Sequence, residues 1–228
     1  MPLSLSACVF SNAVNHSVKL ACIVDGFNLY HSIEDAIADG CSPQIKWMDI
    51  RRLCESKTKL FGPDAYLDRL VYCTSLVGQH NSPERERQKL FIRVCESRGI
   101  KPEYGYFKAK EVRCKVCGQT YRVQVEKQSD LNIGLHIIKA FQDGYDGCMV
   151  LSGDSDLQTA IDFASATYMR KVAVLLPYKR HVSSLSGPRY SAQFLTSLDY
   201  ETNILPSQVR LSENKAVRIP KYWETGVK

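Results

Sequence analysis

Two short runs of the chain are apolar at every position and end on acid. Leu20-Ala21-Cys22-Ile23-Val24 runs into Asp25-Gly26-Phe27-Asn28, and Cys148-Met149-Val150-Leu151 runs into Ser152-Gly153-Asp154-Ser155-Asp156. A strand without a polar face must be covered on both sides, which is the pattern of a parallel sheet between two layers of helices. The period-two and apolar runs place strands at Val18 to Asp25, Arg69 to Leu76, Ile100 to Phe107, Gly147 to Leu151 and Lys171 to Leu176. Between them apolar residues recur at helical spacing. Leu29, Ile33, Ala36 and Ile37 form one stripe, and Trp47, Ile50, Leu53 and Cys54 a second. Ser82-Pro83 opens a third helix with a serine cap and a proline in its first turn, and Gly99 ends it. Further helices are expected at about Ser129 to Asp143 and Ser155 to Ala166. The expected fold is an α/β three-layer sandwich around a mainly parallel sheet.

Such a fold needs a sizeable core. The 228 residues, 44% apolar and 24% charged, can supply one, and these values exclude disorder, collagen-like repeats and coiled coil as the main architecture. No stretch approaches the roughly 18 apolar residues needed to cross a bilayer. Residues 1–17 have no cationic start before their apolar patch, and read as a leader rather than a cleaved signal peptide. Residues 18–205 are expected to form the domain, and 206–228 a polar, basic tail. The net charge of +6 permits a polyanionic partner without demanding one. There are nine cysteines, an odd number at scattered spacings; Cys22, Cys54, Cys73, Cys95 and Cys148, each inside an apolar run, read as small buried hydrophobes in a reducing compartment, and a cytoplasmic location is expected.

In open parallel sheets, sites lie beyond the carboxyl ends of the strands. Asp25, Asp154 and Asp156 should therefore share one edge, with Asp130 opening the helix that leads to the fourth strand. Crowded carboxylates share protons or bind a cation, and an all-oxygen set suits Mg²⁺ or Mn²⁺ rather than zinc. Such an ion can hold a phosphate oxygen and activate a water, so metal-assisted phosphodiester hydrolysis fits. A plain structural role competes with this. Ser155 and Gln158 have capping-box spacing, and Asp156 or Asp130 could simply favour a helix start.

These residues resemble a known family. Ile23-Val24-Asp25-Gly26-Phe27-Asn28-Leu29-Tyr30, then Glu126-Lys127-Gln128-Ser129-Asp130, then Val150-Leu151-Ser152-Gly153-Asp154-Ser155-Asp156 are similar, in order, to the three motifs of the NYN domain, a PIN-like nuclease family. The resemblance spans about Lys19 to Pro177. It implies a parallel α/β sandwich with a divalent-metal site, acting on RNA in members of known activity. By resemblance, Asp25, Asp130, Asp154 and Asp156 would be the catalytic and metal-binding acids, and Asn28 a polar group beside them. Ser152 and Ser155 are expected to touch the substrate. A haloacid-dehalogenase phosphatase also ends its first strand on Asp. Phe27 stands where that mechanism needs its acid, however, and Gln158 where its fourth-strand motif needs Asp. A 5′ exonuclease or flap nuclease would use more acids and a helical arch. A non-catalytic RNA- or protein-binding module on the same fold is the alternative function.

Between Lys108 and Lys127 lie six cations, Lys108, Lys110, Arg113, Lys115, Arg122 and Lys127, among Tyr104, Tyr106, Phe107 and Tyr121. Cations hold phosphates and aromatic rings stack on splayed bases, so this stretch, read as a hairpin insertion over 108–127, is expected to bind RNA, single-stranded above all. Lys110, Arg113, Lys115 and Arg122 are its candidate contacts, and a solvated hairpin is the plain alternative. Cys114 and Cys117 make half of a zinc knuckle. Zinc would need two more ligands, from Cys73, Cys95, His80 or a second chain, and a tight turn with two free thiols is preferred. His31, one turn past Asn28, reads as a surface or packing residue. Lys179-Arg180-His181 and Arg189-Tyr190 could extend a nucleic-acid path.

Overall fold

The computed structural model of the protein describes residues 17–180 and 190–225. Its elements run β1 (Val18–Asp25), α1 (Gly26–Ala38), α2 (Ile50–Glu55), β2 (Ala65–Thr74), α3 (Pro83–Ser97), β3 (Ile100–Tyr104), β4 (Tyr106–Arg113) and β5 (Thr120–Lys127). They continue with α4 (Ser129–Gln142), β6 (Gly147–Leu151), α5 (Gln158–Tyr168), β7 (Lys171–Leu176), β8 (Tyr190–Phe194), α6 (Ser197–Glu201), β9 (Gln208–Ser212), β10 (Lys215–Arg218) and α7 (Lys221–Thr225). Six strands form the central sheet in the order β3-β2-β1-β6-β7-β8, and every neighbouring pair is parallel. The three-layer α/β architecture expected from the doubly apolar strands is therefore present.

Strand β1 shows why. Side chains alternate across a strand, so Leu20, Cys22 and Val24 face one layer while Ala21 and Ile23 face the other. All five are buried. The first layer packs Leu29 and Ile33 of α1, Leu53 of α2, Phe91 and Val94 of α3, and Trp47 onto the sheet. The second packs Ile133 and Ile137 of α4 with Ile161 of α5. Each large apolar side chain removed from water contributes about 1.5–3 kcal/mol. Cys22, Cys54, Cys73, Cys95 and Cys148 are buried free thiols among these residues, as small hydrophobes would be.

Three local expectations change. The run Ile100 to Phe107 is not one strand. It breaks at Gly105, whose N–H bonds to Thr74 O at 2.9 Å. Before the break β3 pairs with β2, and after it β4 pairs antiparallel with β5 in a separate two-stranded sheet. A Cβ on Gly105 would lie 2.4 Å from Lys127 O and 2.6 Å from Ser75 Oγ, so the crossing of these chains requires glycine. The helix expected from Ser155 begins as a 3₁₀ turn over Ser155–Leu157, and Asp154 rather than Ser155 caps it. Strand β2 starts at Ala65, four residues before the apolar run, because parallel pairing with β1 already begins there.

Residues after Pro206, polar in composition, also carry core. Val209, Ile219 and Trp223 are buried within the first layer. The Trp223 ring lies 6.0 Å from that of Trp47 and 6.2 Å from that of Phe91. No helix among the described residues is long and apolar enough to cross a membrane.

Candidate active site

The order of the sheet decides where a site can form. From β1 the chain builds outward through β2 to β3, then returns to place β6 on the other side of β1 and continues to β7 and β8. The direction of winding reverses between β1 and β6. Chain segments leaving these two strands diverge and leave a crevice, the position where ligands bind in open α/β sheets. Val24 pairs with Leu151, so Asp25 and Ser152 leave the sheet side by side. Both acidic strand ends therefore open onto the crevice.

A hydrogen-bonded lattice joins them. Asp25 caps α1, its Oδ1 accepting from the Asn28 N–H at 3.0 Å. Its Oδ2 accepts from the Ser152 hydroxyl at 2.8 Å. Ser152 Oγ in turn accepts from the Asp154 N–H at 3.1 Å, and Asn28 Oδ1 accepts from the Gly153 N–H at 3.0 Å. Asp154 Oδ1 accepts from the Asp156 N–H at 2.9 Å. The two glycines that follow the strands are sterically required. A Cβ at Gly26 would lie 2.7 Å from Cys73 O, and one at Gly153 would lie 2.5 Å from Arg180 Cβ.

The electrostatics are those of crowded acid. Asp25 is 6% exposed. Burial pushes its carboxyl up from 3.8 to about 6, with Asp130 and Glu126 pushing the same way and the bonds from Asn28 and Ser152 opposing. Partial burial, then the charges of Asp154 and Asp156, raise the Asp130 carboxyl. Asp130 sits in the first turn of α4 without capping it, since Gln128 precedes that helix in the left-handed region with no side-chain cap. No ion pair among the described residues neutralises Asp25, Asp130, Asp154 or Asp156.

The four acids thus share one edge, but not as a closed cage. Among the described residues no three His, Cys, Asp or Glu side chains gather as a ready metal-binding group. The lattice fixes how Asp25 and Asp154 are turned. Both Asp25 oxygens are already bonded to Asn28 and Ser152, and Asp154 is turned toward the Asp156 N–H. The donor set still suits Mg²⁺ or Mn²⁺, which takes one or two carboxylates and keeps several waters. Asp25, Asp130, Asp154 and Asp156 are the carboxylates that could hold it. Glu126 is a fifth acid whose role the motif did not reveal. It accepts from the Ser129 hydroxyl at the base of the hairpin and acts on Asp25. The only signal for it was its place as the acidic residue of the middle motif.

The hairpin of β4 and β5 rises from this edge. Phe107 packs edge-on to Phe27 of α1, with ring centroids 5.8 Å apart. Directly opposed residues of an antiparallel pair share a face. Glu111 opposes Arg122, and Phe107 opposes Glu126. Arg113 and Arg122 therefore lie on the face that continues from the acids, where Arg122 also pairs with Glu111 at 3.1 Å. Lys110 opposes Val123 and lies on the reverse face with Lys108. Lys115 is exposed in the turn. The expected set of four cations is thus split between two faces. Cys114 and Cys117 stand in the same turn, where bonds from the backbone and thiol of Cys117 and from Val116 lower the Cys114 thiol. Cys73 and Cys95 are buried on opposite faces of the sheet, and among the described residues no third His, Cys, Asp or Glu joins Cys114 and Cys117 in a metal-binding group. Ser155 is exposed beside Asp154. His31 is exposed and packs against Phe27 and Tyr30, at 6.3 and 5.8 Å between rings. Of the second basic cluster, Lys179 pairs with Asp39 and Arg180 with Asp35, the latter at 2.8 Å. His181 and Arg189 lie outside the described residues.

Comparison with known proteins bears on the family. A crystal structure of a protein of unknown function from Vibrio parahaemolyticus is similar at 18% identity and a TM-score of 0.48, over 78% of this chain and 94% of that one. Among curated proteins none matches. The model of the NYN domain matches residues 19–196, the same span that carries the crevice and its acids, and the chain belongs to that PIN-like nuclease family.

Proposed function

We propose that the protein is a divalent-metal-dependent ribonuclease that hydrolyses RNA phosphodiester bonds, as an endonuclease on single strands. The observation that supports this reading is a buried carboxylate, Asp25, raised to about 6 and grouped with Asp130, Asp154 and Asp156 at the switch point of the sheet. A bound Mg²⁺ or Mn²⁺ would polarise a phosphate oxygen and make a bound water more acidic. In this reading Asp25 and Asp130 would hold the ion, and Asp154 and Asp156 would hold its waters. Ser152 and Asn28 fix the direction of the Asp25 carboxylate, and Ser155 meets the strand at the rim. Arg180, packed beside Gly153, is held by Asp35, and the hairpin would grip the strand beyond it. A non-catalytic RNA-binding module is the second reading, favoured by the absence of a closed three-acid group among the described residues. Labelled single-stranded RNA, incubated with the protein and either Mg²⁺, Mn²⁺ or EDTA, separates them. Cleavage only with metal is the expected result, and binding without cleavage in every condition selects the second reading.

Metal should also stabilise the fold. An ion that binds only the native state adds about 2.7 kcal/mol at a hundred times its dissociation constant. Melting temperature is therefore expected to rise with Mg²⁺ at pH 8. The rise should vanish in Asp130→Asn, and equal rises in both proteins would place the ion elsewhere.

The hairpin makes a separate prediction. Replacing Lys110, Arg113, Lys115 and Arg122 together by Ala should weaken binding of single-stranded RNA. Each lost phosphate contact flattens the salt dependence by about 0.7. Lys110 and Arg122 point from opposite faces, so one strand cannot use all four, and a change of roughly 1 to 2 is expected. Fluorescence polarisation at several salt concentrations measures it, and an unchanged slope would mean that the hairpin does not contact the strand.

A further inference from the structure

A cavity of about 670 Å³ is lined by Gly26 and Phe27, the first residues of α1 after Asp25. That is ample for a drug-sized or nucleotide-sized ligand. Its walls are aromatic: Phe27 and Tyr30 of α1, Tyr72 of β2, Phe91 of α3, and Tyr222 and Trp223 of α7. Polar groups enter as matched pairs. Lys46 pairs with Glu34 at 2.5 Å, and Arg87 with Glu84 at 3.5 Å. Both cations also lie over the ring of Tyr222, at 5.5 and 5.1 Å.

We infer that this cavity is a nucleobase-binding site that receives one base of the RNA strand. The inference rests on the ribonuclease reading for its class of ligand. Three features choose a base over other parts of a nucleotide. Aromatic walls suit a flat ring, since base–aromatic stacking is available to every base. The cations are each neutralised by a neighbouring carboxylate, so the cavity offers no net positive charge to a phosphate. Lys46 and Arg87 are donors, and Glu34 and Glu84 are acceptors, which matches the mixed edge of a base and not the donor-free edge of a phosphate.

Its position fits as well. Asp25 pairs with Cys73, and the residues on either side of Cys73 line the cavity, Tyr72 in the wall and Thr74 at the end of β2. Neighbouring strands are about 4.8 Å apart. Gly26 and Phe27 line the cavity directly after Asp25, and Phe27 also touches Phe107 of the hairpin. A strand held by the hairpin and by the acids therefore passes the mouth, and one base can turn into it. Stacking at this point would select which phosphate reaches the acids.

Calorimetric titration of the full chain with AMP, GMP, CMP and UMP, in EDTA, tests this apart from cleavage. At least one nucleotide should bind, and ribose 5-phosphate should not. Tyr222→Ala should weaken that binding by about tenfold, the scale of one lost stacking contact. Val77→Trp, which adds bulk to the lining at a half-buried position, should abolish it. Failure of all four nucleotides to bind, equal binding of ribose 5-phosphate, or binding unchanged in both variants would overturn the inference. The two readings fail separately. RNA cleaved by a protein that binds no nucleotide removes the base site and leaves the nuclease. Nucleotide bound by a protein that cleaves no RNA with either metal leaves the base site and removes the nuclease.

Discussion

Asp25→Asn is expected to lower RNA cleavage by about a thousandfold while making the metal-free protein more stable at pH 8. The activity loss follows from removing one of two carboxylates proposed to hold the ion, where several kcal/mol of charge stabilisation correspond to about three orders of magnitude in rate. The stability gain has a different origin. Asp25 is buried, and the fold raises its carboxyl from 3.8 to about 6. A group raised in this way favours folding fully below about pH 3.8, and that favour is lost as the pH rises through about 6. At pH 8 the ionised side chain therefore costs about 3 kcal/mol relative to pH 3.8. Asparagine carries no charge and remains a good helix cap, so the Asn28 N–H keeps its acceptor. Urea denaturation in EDTA should show the variant more stable at pH 8 and close to wild type near pH 4. A variant less stable at both pH values would make Asp25 a structural cap. Cleavage left within tenfold of wild type would remove it from the proposed metal site.

Trp223→Ala is expected to cost about 3–5 kcal/mol, the range for truncating a buried aromatic residue. For a protein of this size that is a fall of roughly 10 °C in melting temperature. The side chain is 8% exposed and packs on Trp47 and Phe91, so its loss opens a void between α3, α7 and the first core layer. The same region is tied by backbone. Leu205 N–H bonds to Trp47 O at 2.8 Å, and the Trp47 indole N–H bonds to Pro206 O at 2.9 Å. Lys221→Ala, at an exposed position on the same helix, serves as the control and should change stability by less than about 0.5 kcal/mol. A loss below about 1 kcal/mol for Trp223→Ala would mean that the segment after Pro206 is an appendage to the domain.

The central sheet could be read from local pattern because each of its inner strands is apolar on both faces. Val18–Asp25, Gly147–Leu151 and Lys171–Leu176 begin and end where those runs do. The acids were legible for the same reason. An apolar run followed by Asp or Ser-Gly-Asp marks the carboxyl end of a strand, and all such ends in a parallel sheet face one way. Strand β8 and the segment from α6 to α7 were not legible. Val209, Ile219 and Trp223 are separated by polar residues that break any period, and their burial depends on Trp47 and Phe91, more than a hundred residues away in the chain.

What the sequence by itself determined is the doubly apolar strands at the centre of the sheet, the acids at their ends and the family they mark, because these depend on periods of two to four residues and on motifs of seven or eight. Tertiary structure decided the rest. Only the order β3-β2-β1-β6-β7-β8 makes the ends of β1 and β6 neighbours across a switch point. Only the register of β4 on β5 turns Arg122 toward the acids and Lys110 away. The packing of the hairpin base brings Glu126 to bear on Asp25, and the return of α7 closes an aromatic cavity beside the same strand end. Each of these depends on contacts between residues far apart in the chain, which local spacing does not encode.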